Sequence, residues 1–208
     1  METFKCVVPS WHEIYHIAKE TVDKIKKSGF HPDLIVALSR GGLVPGRLFC
    51  DLLHIKTCLT MKVDHWGITA TKDGKAVISH GLNADLSGAR VLVVDDITDT
   101  GQSMILGKEH VAGLNPAVVK TATLIHLKNS KYVPDFFGVE REWAWIIFPW
   151  NYREDLVNLI KKITDSGRGN SVKEIRMDLK EMFDVETGEG EIREIMEHIE
   201  YLERVNKK

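Results

Sequence analysis

The stretch Val91-Leu-Val-Val-Asp-Asp-Ile-Thr-Asp-Thr-Gly-Gln-Ser103 decides how the rest of the chain is read. Its first four residues are aliphatic and mostly β-branched, the composition of a strand buried on both faces of a parallel sheet. The hydrophobic run stops at Asp95. Asp95, Asp96 and Asp99 are then interleaved with Thr98, Thr100, Gly101 and Ser103, so carboxylates, hydroxyls and a permissive glycine follow the carboxyl end of a strand. Open α/β sheets bind their ligands at that end. Helical spacing runs from Gln102 to His110, and the free N–H groups of its first turn favour an anion. The loop thus offers phosphate capture beside carboxylates that can hold hydroxyls or Mg²⁺. A polar helix cap alone does not need three carboxylates within five residues. A nucleotide triphosphatase would need a Gly-x4-Gly-Lys-Ser/Thr loop, and Gly101 to Lys108 has one residue too many between its glycines and Glu109 in place of the hydroxyl.

A second strand is expected at Asp33–Leu38, running into Ser39-Arg40-Gly41-Gly42-Leu43-Val44-Pro45-Gly46 and a helix that continues to Leu53. Two glycines beside an arginine let backbone amides and a guanidinium approach one anion closely. The spacing does not fit the Gly-x-Gly-x-x-Gly dinucleotide pattern. Further strands are expected at Lys56–Val63, Ala76–Ser79 and Ala117–Leu127, and at the apolar run Trp143–Trp150, which Pro149 stops. Between the first two of these, Asp64–Gly74 is polar, with two glycines and an Asp-Gly turn, and reads as a mobile flap.

Ser10 and Glu13 form a capping box ahead of an amphipathic helix over residues 11–27, with Trp11, Ile14, Tyr15, Ala18, Val22 and Ile25 on its apolar face and Gly29 ending it. Within it, His12-Glu13-Ile14-Tyr15-His16 matches the zinc-protease pattern His-Glu-x-x-His. At ~100° per residue both histidines fall beside Lys19, Glu20 and Asp23, opposite the apolar stripe, so they are expected to face solvent. Near the C-terminus, Thr164–Asn170 reads as a flexible junction. Ser171 with Glu174 opens a new helix, and Ile192, Ile195, Met196, Ile199 and Leu202 mark another.

At 208 residues, with 43% hydrophobic and 28% charged content, the chain suits one sizeable domain with an appendage. No apolar run approaches the ~18 residues of a membrane span, and neither a signal peptide nor an anchor is expected. Cys6, Cys50 and Cys58 are odd in number and lack a Cys-x-x-Cys pair, which suits a reducing cytoplasm, with Cys50 and Cys58 as small core residues. A formal net charge of −2 argues against general nucleic-acid binding.

The hydrophobic strand, paired acids and Asp-Thr-Gly-x-Ser loop resemble the ribose-phosphate signature of the type I phosphoribosyltransferases, over roughly residues 9–163. The resemblance implies an α/β fold, a mainly parallel twisted sheet with flanking helices, spanning residues 1–163; beyond it, the capping box and helical stripes read as a small helical extension at 164–208. It implies transfer of 5-phosphoribosyl from 5-phosphoribosyl 1-diphosphate (PRPP) to a purine base, with Mg²⁺ as cofactor. Thr98, Asp99, Thr100, Gly101, Gln102 and Ser103 would hold the 5′-phosphate. Asp95 and Asp96 would serve ribose hydroxyls and metal, and Asp99 would be the catalytic acid–base group. Ser39, Arg40 and Gly41 would bind pyrophosphate, with a cis peptide at Ser39–Arg40, and a catalytic loop would lie at Asp64–Gly74. The Trp145-Ile-x-x-Pro-Trp150 run resembles the base-binding segment of xanthine-guanine phosphoribosyltransferases, which assigns the purine to Lys128, Trp145 and Ile146. Apolar Ile147, and Asn151 after Pro149-Trp150, depart from the better-known bacterial pattern and leave the exocyclic preference open. An adenine-specific enzyme and a non-catalytic PRPP or nucleotide sensor are the alternatives. The partners implied are PRPP and the base, in a homodimer or larger homo-oligomer, without nucleic acid or membrane.

Overall fold

The structure, a computed structural model, describes residues 3–65 and 76–205. Most of the expected flap, from residue 66 to Gly74, lies outside the described residues. The chain divides into two compact units, one formed by residues 12–143 and the other by residues 1–11 with 144–208.

The first unit is built on a six-stranded sheet: β2 (Leu34–Ser39), β3 (Cys58–His65), β4 (Ala76–His80), β5 (Arg90–Thr98), β6 (Val118–Leu127) and β7 (Phe136–Arg141). β1 (Cys6–Val7) belongs to the other unit. The order is β4-β3-β2-β5-β6-β7, all neighbours being parallel except antiparallel β3–β4. Val36, Leu38, Val91 and Val93 join one buried cluster on one face, while Ile35, Ala37, Leu92 and Val94 are equally buried on the other. A strand with no wet face must be apolar at every position, which is why these runs do not alternate. Three helices belong to this unit: α1 (Trp11–Lys27, apart from Trp11 itself), α2 (Leu43–Leu53) and α3 (Gln102–Ala112).

α1 has the expected bounds, but its buried stripe is Ile14, Ile17, Ala18, Thr21, Val22 and Ile25. Trp11 and Tyr15, expected on that stripe, are exposed. His12 and His16 face solvent as the helical spacing required, with their Nε2 atoms 3.1 Å apart. β5 runs four residues further than its apolar stretch, because its polar residues pair with β6 in the register Asp95↔Thr123 to Thr98↔His126. Cys50 is buried as expected. Cys58 is a correction: it stands exposed at the first position of β3.

The second unit pairs β1 in parallel with β8 (Trp145–Ile146), so the expected Trp143–Trp150 strand contributes only two ladder residues. α4 (Tyr152–Asp165), α5 (Val172–Phe183) and α6 (Glu189–Val205) pack on one another around Leu156, Ile160, Ile175, Leu179, Phe183 and Ile192. The Ser171 hydroxyl accepts from the Glu174 amide at 3.2 Å, and the Glu174 carboxylate accepts from the Asn170 amide at 2.9 Å. Both arms of a capping box are thereby made, the second reaching one residue beyond the cap. Among the described residues no helix is long and apolar enough to cross a membrane.

The two central strands are clamped at their amino ends. Arg90 donates to the Asp33 carboxylate from Nη2 at 2.7 Å, from Nε at 3.2 Å and from its backbone amide at 2.8 Å, while the Asp33 amide donates to the Arg90 carbonyl at 2.8 Å. This two-point fork fixes the β2–β5 register that sets the opposite, carboxyl ends side by side. Hydrogen bonds from Arg90 hold the Asp33 carboxyl down at about 2. Because that value lies below the unfolded one, the pair's contribution is present above about pH 4 and is lost as pH falls through 2. The stability difference between wild type and Asp33→Asn, followed by urea unfolding, should therefore be pH-independent near neutrality and shrink as pH falls from 4 towards 2.

Candidate active site

The chain leaves β2 through α2 towards β3 and leaves β5 through α3 towards β6, on opposite sides. The strand order therefore reverses between β2 and β5, the kind of switch point at which open α/β sheets bind ligands, outside the strands' carboxyl ends. Both sequence motifs reach that place. The 39–42 loop follows β2, and residues 99–101 follow β5.

The approach of the two is close. A Cβ added to Gly41 would sit 2.5 Å and 2.6 Å from the Asp96 carboxylate oxygens, and one on Gly42 would sit 2.4 Å from the Val94 carbonyl oxygen. Only glycine fits at either position. The Ser39–Arg40 peptide is cis, as the resemblance implies. The Ser39 hydroxyl donates to the Met61 carbonyl at 3.0 Å, which ties the start of the loop to β3. Arg40 is exposed at the loop's edge.

Asp95 and Asp96 point to opposite faces of β5, as adjacent strand residues do. The Asp96 amide donates to an Asp95 carboxylate oxygen at 3.0 Å. Burial, reinforced by the Asp96 carboxylate, pushes the Asp95 carboxyl well above the usual carboxylate range, while hydrogen bonds from the Asp96 and Gly42 amides oppose this. Carboxylate oxygens are hard donors of the kind Mg²⁺ takes one or two of, and Asp95 or Asp96 can each supply them.

The 98–103 loop is shaped by packing from β6 and the segment after it. The Thr98 side chain turns into the sheet, with Oγ1 3.0 Å from His126 Nδ1 and 3.5 Å from Thr123 Oγ1. Asp99, Thr100, Gln102 and Ser103 are half-buried around the turn. Thr100 Oγ1 accepts from the Gln102 amide at 3.4 Å, and the Gln102 carboxamide oxygen accepts from the Ala76 amide at 3.0 Å. Gly101 caps α3 with a left-handed φ of 84°. It is buried against Tyr132 and Ser130, since an added Cβ would lie 2.5 Å from Tyr132 Cβ and 2.9 Å from Ser130 Oγ. Tyr132 is held in turn, its hydroxyl 3.2 Å from Lys108 Nζ and 3.0 Å from Thr121 Oγ1. Sequence reasoning missed Tyr132, Ser130 and His126. They are brought in from 28 to 31 residues downstream by the β5–β6 pairing, and no local pattern marks them.

Lys128 follows β6, its amide donating to the Arg141 carbonyl at 3.0 Å and its ammonium paired with the exposed Glu142 carboxylate. Hydrogen bonding to Glu142 raises the Lys128 pKa. Trp145 and Ile146 lie in the other unit, on β8. There the Trp145 indole N–H donates to the buried Asp155 at 3.1 Å, and Ile146 is 7% exposed.

The glycine loop after β2, the start of α3 and the two adjacent carboxyls are thus gathered at the sheet's switch point. Residues 9–155 match the phosphoribosyl transferase domain family, and the chain belongs to that family. It is 28% identical over 142 residues to the xanthine-guanine phosphoribosyltransferase of Idiomarina loihiensis, covering 68% of this chain and 84% of the relative. The structure is similar to that of a purine phosphoribosyltransferase from Pyrococcus horikoshii, with a TM-score of 0.61 and 29% identity over 70% of this chain and 93% of the other. It shares its fold with the xanthine-guanine-hypoxanthine phosphoribosyltransferase of Helicobacter pylori, with a TM-score of 0.60 at 22% identity over 74% of this chain and 97% of the other.

Gly101 and Gly88 separate two costs of a side chain at positive φ. Both are left-handed, but an added Cβ meets nothing within 4 Å at Gly88. Gly88→Ala should cost about 1 kcal/mol of unfolding free energy, from backbone strain alone. Gly101→Ala adds overpacking against Tyr132 and should cost about 2–4 kcal/mol. Paired urea titrations check the ranking.

Proposed function

We propose that this chain is a purine phosphoribosyltransferase of purine salvage, converting PRPP and a 6-oxopurine into a nucleoside 5′-monophosphate and pyrophosphate. The observation that carries the reading is the convergence of the Arg40-Gly41-Gly42 loop and the Asp95-to-Ser103 stretch at one switch point. Displacement is at the anomeric carbon of the ribose.

Backbone amides of residues 98–103, with the Thr100 and Ser103 hydroxyls, hold the 5′-phosphate at the start of α3. Thr98 contributes through its backbone, since its hydroxyl is engaged with His126. Asp95 and Asp96 accept hydrogen bonds from the ribose 2′- and 3′-hydroxyls and are the residues that would hold Mg²⁺. When bound, Mg²⁺ neutralises charge on the departing diphosphate. Ser39, Arg40 and Gly41 bind that diphosphate through the guanidinium and the loop amides. Asp99 takes or shares the purine N7 proton as N9 forms the new bond.

Lys128 reads position 6 of the base. An ammonium only donates, so it favours a 6-oxo acceptor over the 6-amino group of adenine. For Trp145 the proposed role is to stack on the purine, with main-chain groups near Ile146 reading its edge; it rests on the sequence resemblance. The working enzyme is proposed to be a cytoplasmic homo-oligomer.

Pyrophosphate release measured with adenine, guanine, hypoxanthine and xanthine tests the assignment. The 6-oxopurines should be used and adenine should not; adenine as best substrate would refute the base assignment. Lys128→Met should lower kcat/KM for guanine roughly 10- to 100-fold and so narrow the gap to adenine. Asp99→Asn should retain PRPP binding while lowering kcat by roughly 10²–10⁴-fold, the loss expected of an acid–base group. Unchanged kcat would remove Asp99 from the reaction.

A further inference from the structure

We infer that Cys50 and Cys58 are a thiol pair that closes into a reversible disulfide when the protein meets a peroxide. Cys50 lies in the last turn of α2 and Cys58 opens β3. The connection between them is short and fixed. His54 ends the helix in the left-handed region, its amide donating to the Asp51 carbonyl at 3.2 Å, and the Ile55 amide donates to the Cys50 carbonyl at 2.9 Å.

Strand pairing then sets Cys58 beside Ile35 of β2, with its sulfur under α2. A Cβ built on Gly46 would lie 3.7 Å from Cys58 Sγ. Cys50 is one helical turn on from Gly46 and shares its buried face. The Cys50 and Cys58 side chains are hydrogen-bonded to each other. Both are free thiols, one buried and one exposed, whereas the third cysteine, Cys6, is buried in the other unit.

The difference in access assigns the order of events. Cys58 meets the oxidant first. Its thiolate attacks one peroxide oxygen, the O–O bond breaks, and hydroxide leaves, giving a sulfenic acid at Cys58. The Cys50 sulfur then attacks that sulfur, the S–S bond forms, and the S–O bond breaks. Water departs with the Cys50 proton. In sum, two thiols are oxidised and one peroxide is reduced to two waters. Burial pushes the Cys50 thiol up to about 12, which leaves the first step, attack on the peroxide, to Cys58.

The test uses the full chain, treated with hydrogen peroxide, its remaining thiols alkylated under denaturing conditions, and then mapped by proteolysis and mass spectrometry. The expected result is one peptide pair joined through Cys50 and Cys58, an intact mass lower by two hydrogens, Cys6 recovered as the alkylated thiol, and full reversal by dithiothreitol. Cys58→Ser should abolish the mass loss. Cys50→Ser should leave a sulfenic acid at Cys58 that dimedone traps. Dimedone labelling of Cys58 in the wild type with Cys50 still a free thiol would overturn the inference, as would an intermolecular Cys58–Cys58 dimer. The wild-type map decides between these outcomes even where Cys50→Ser does not fold.

Discussion

The seating of Gly41 and Gly42 against the end of β5 is the constraint on which the rest of the site depends. With the Val94 carbonyl and the Asp96 carboxylate both within 2.6 Å of where a side chain would begin, the loop backbone itself lies against the end of β5. The Gly42 amide donates to the Leu38 carbonyl at 2.7 Å, so α2 starts at once. That contact makes one environment out of two loops separated by more than fifty residues. Asp95 is partly buried there, and that burial next to a second carboxyl is what raises its pKa. The Arg90–Asp33 clamp at the far ends of the same strands serves the same purpose, since a slip in β2–β5 register would separate Gly41 from Asp96.

Legibility in the sequence followed the range of the interactions. The central strands could be read because each is apolar on both faces, and α1, α5 and α6 because their stripes keep helical period. The extension of β5 through Thr98 could not be read, since Asp95, Asp96 and Thr98 look like loop residues until Thr123 and His126 of β6 supply their partners. β7 was hidden for a related reason. Gly138 interrupts its apolar pattern, yet the glycine is what lets α1 approach, an added Cβ there falling 2.4 Å from Ile17 Cγ2. The Trp143–Trp150 run misled in the opposite direction: it is apolar because Ile147 and Phe148 are buried, while only Trp145 and Ile146 form a ladder.

Within the site, the motif residues were legible and their supports were not. Asp99, Thr100 and Ser103 announce themselves by spacing, but the shape of their loop is imposed by Tyr132 and Ser130 packing on Gly101. Lys120 donates to Asp135 at 2.7 Å, and Asp135 accepts from the Thr121 hydroxyl at 2.9 Å, so the residue that holds the Tyr132 hydroxyl is itself anchored. The second unit shows the same limit on a larger scale. Its two-stranded sheet joins Cys6 to Trp145, a pairing across 139 positions that no local pattern can signal.

For Lys128, a pairing with a neighbouring side chain has to coexist with the recognition role proposed for it. Its ammonium is already paired with Glu142, which at first sight competes with any ligand. Both partners are at least half-exposed, with side-chain exposures of 50% and 79%. Pairs of that kind are weakly held, because water and salt screen the attraction and two long side chains lose freedom in making it. Exchanging Glu142 for a carbonyl acceptor on a base therefore costs little. The carboxylate only raises further a pKa that already lies well above neutrality, so the exposed ammonium is a pure donor whether or not Glu142 stays paired. A lysine desolvated without such a partner would drift towards the neutral amine and lose its preference for an oxo group. For the discrimination proposed for Lys128, Glu142 is thus a partner that can be released at little cost.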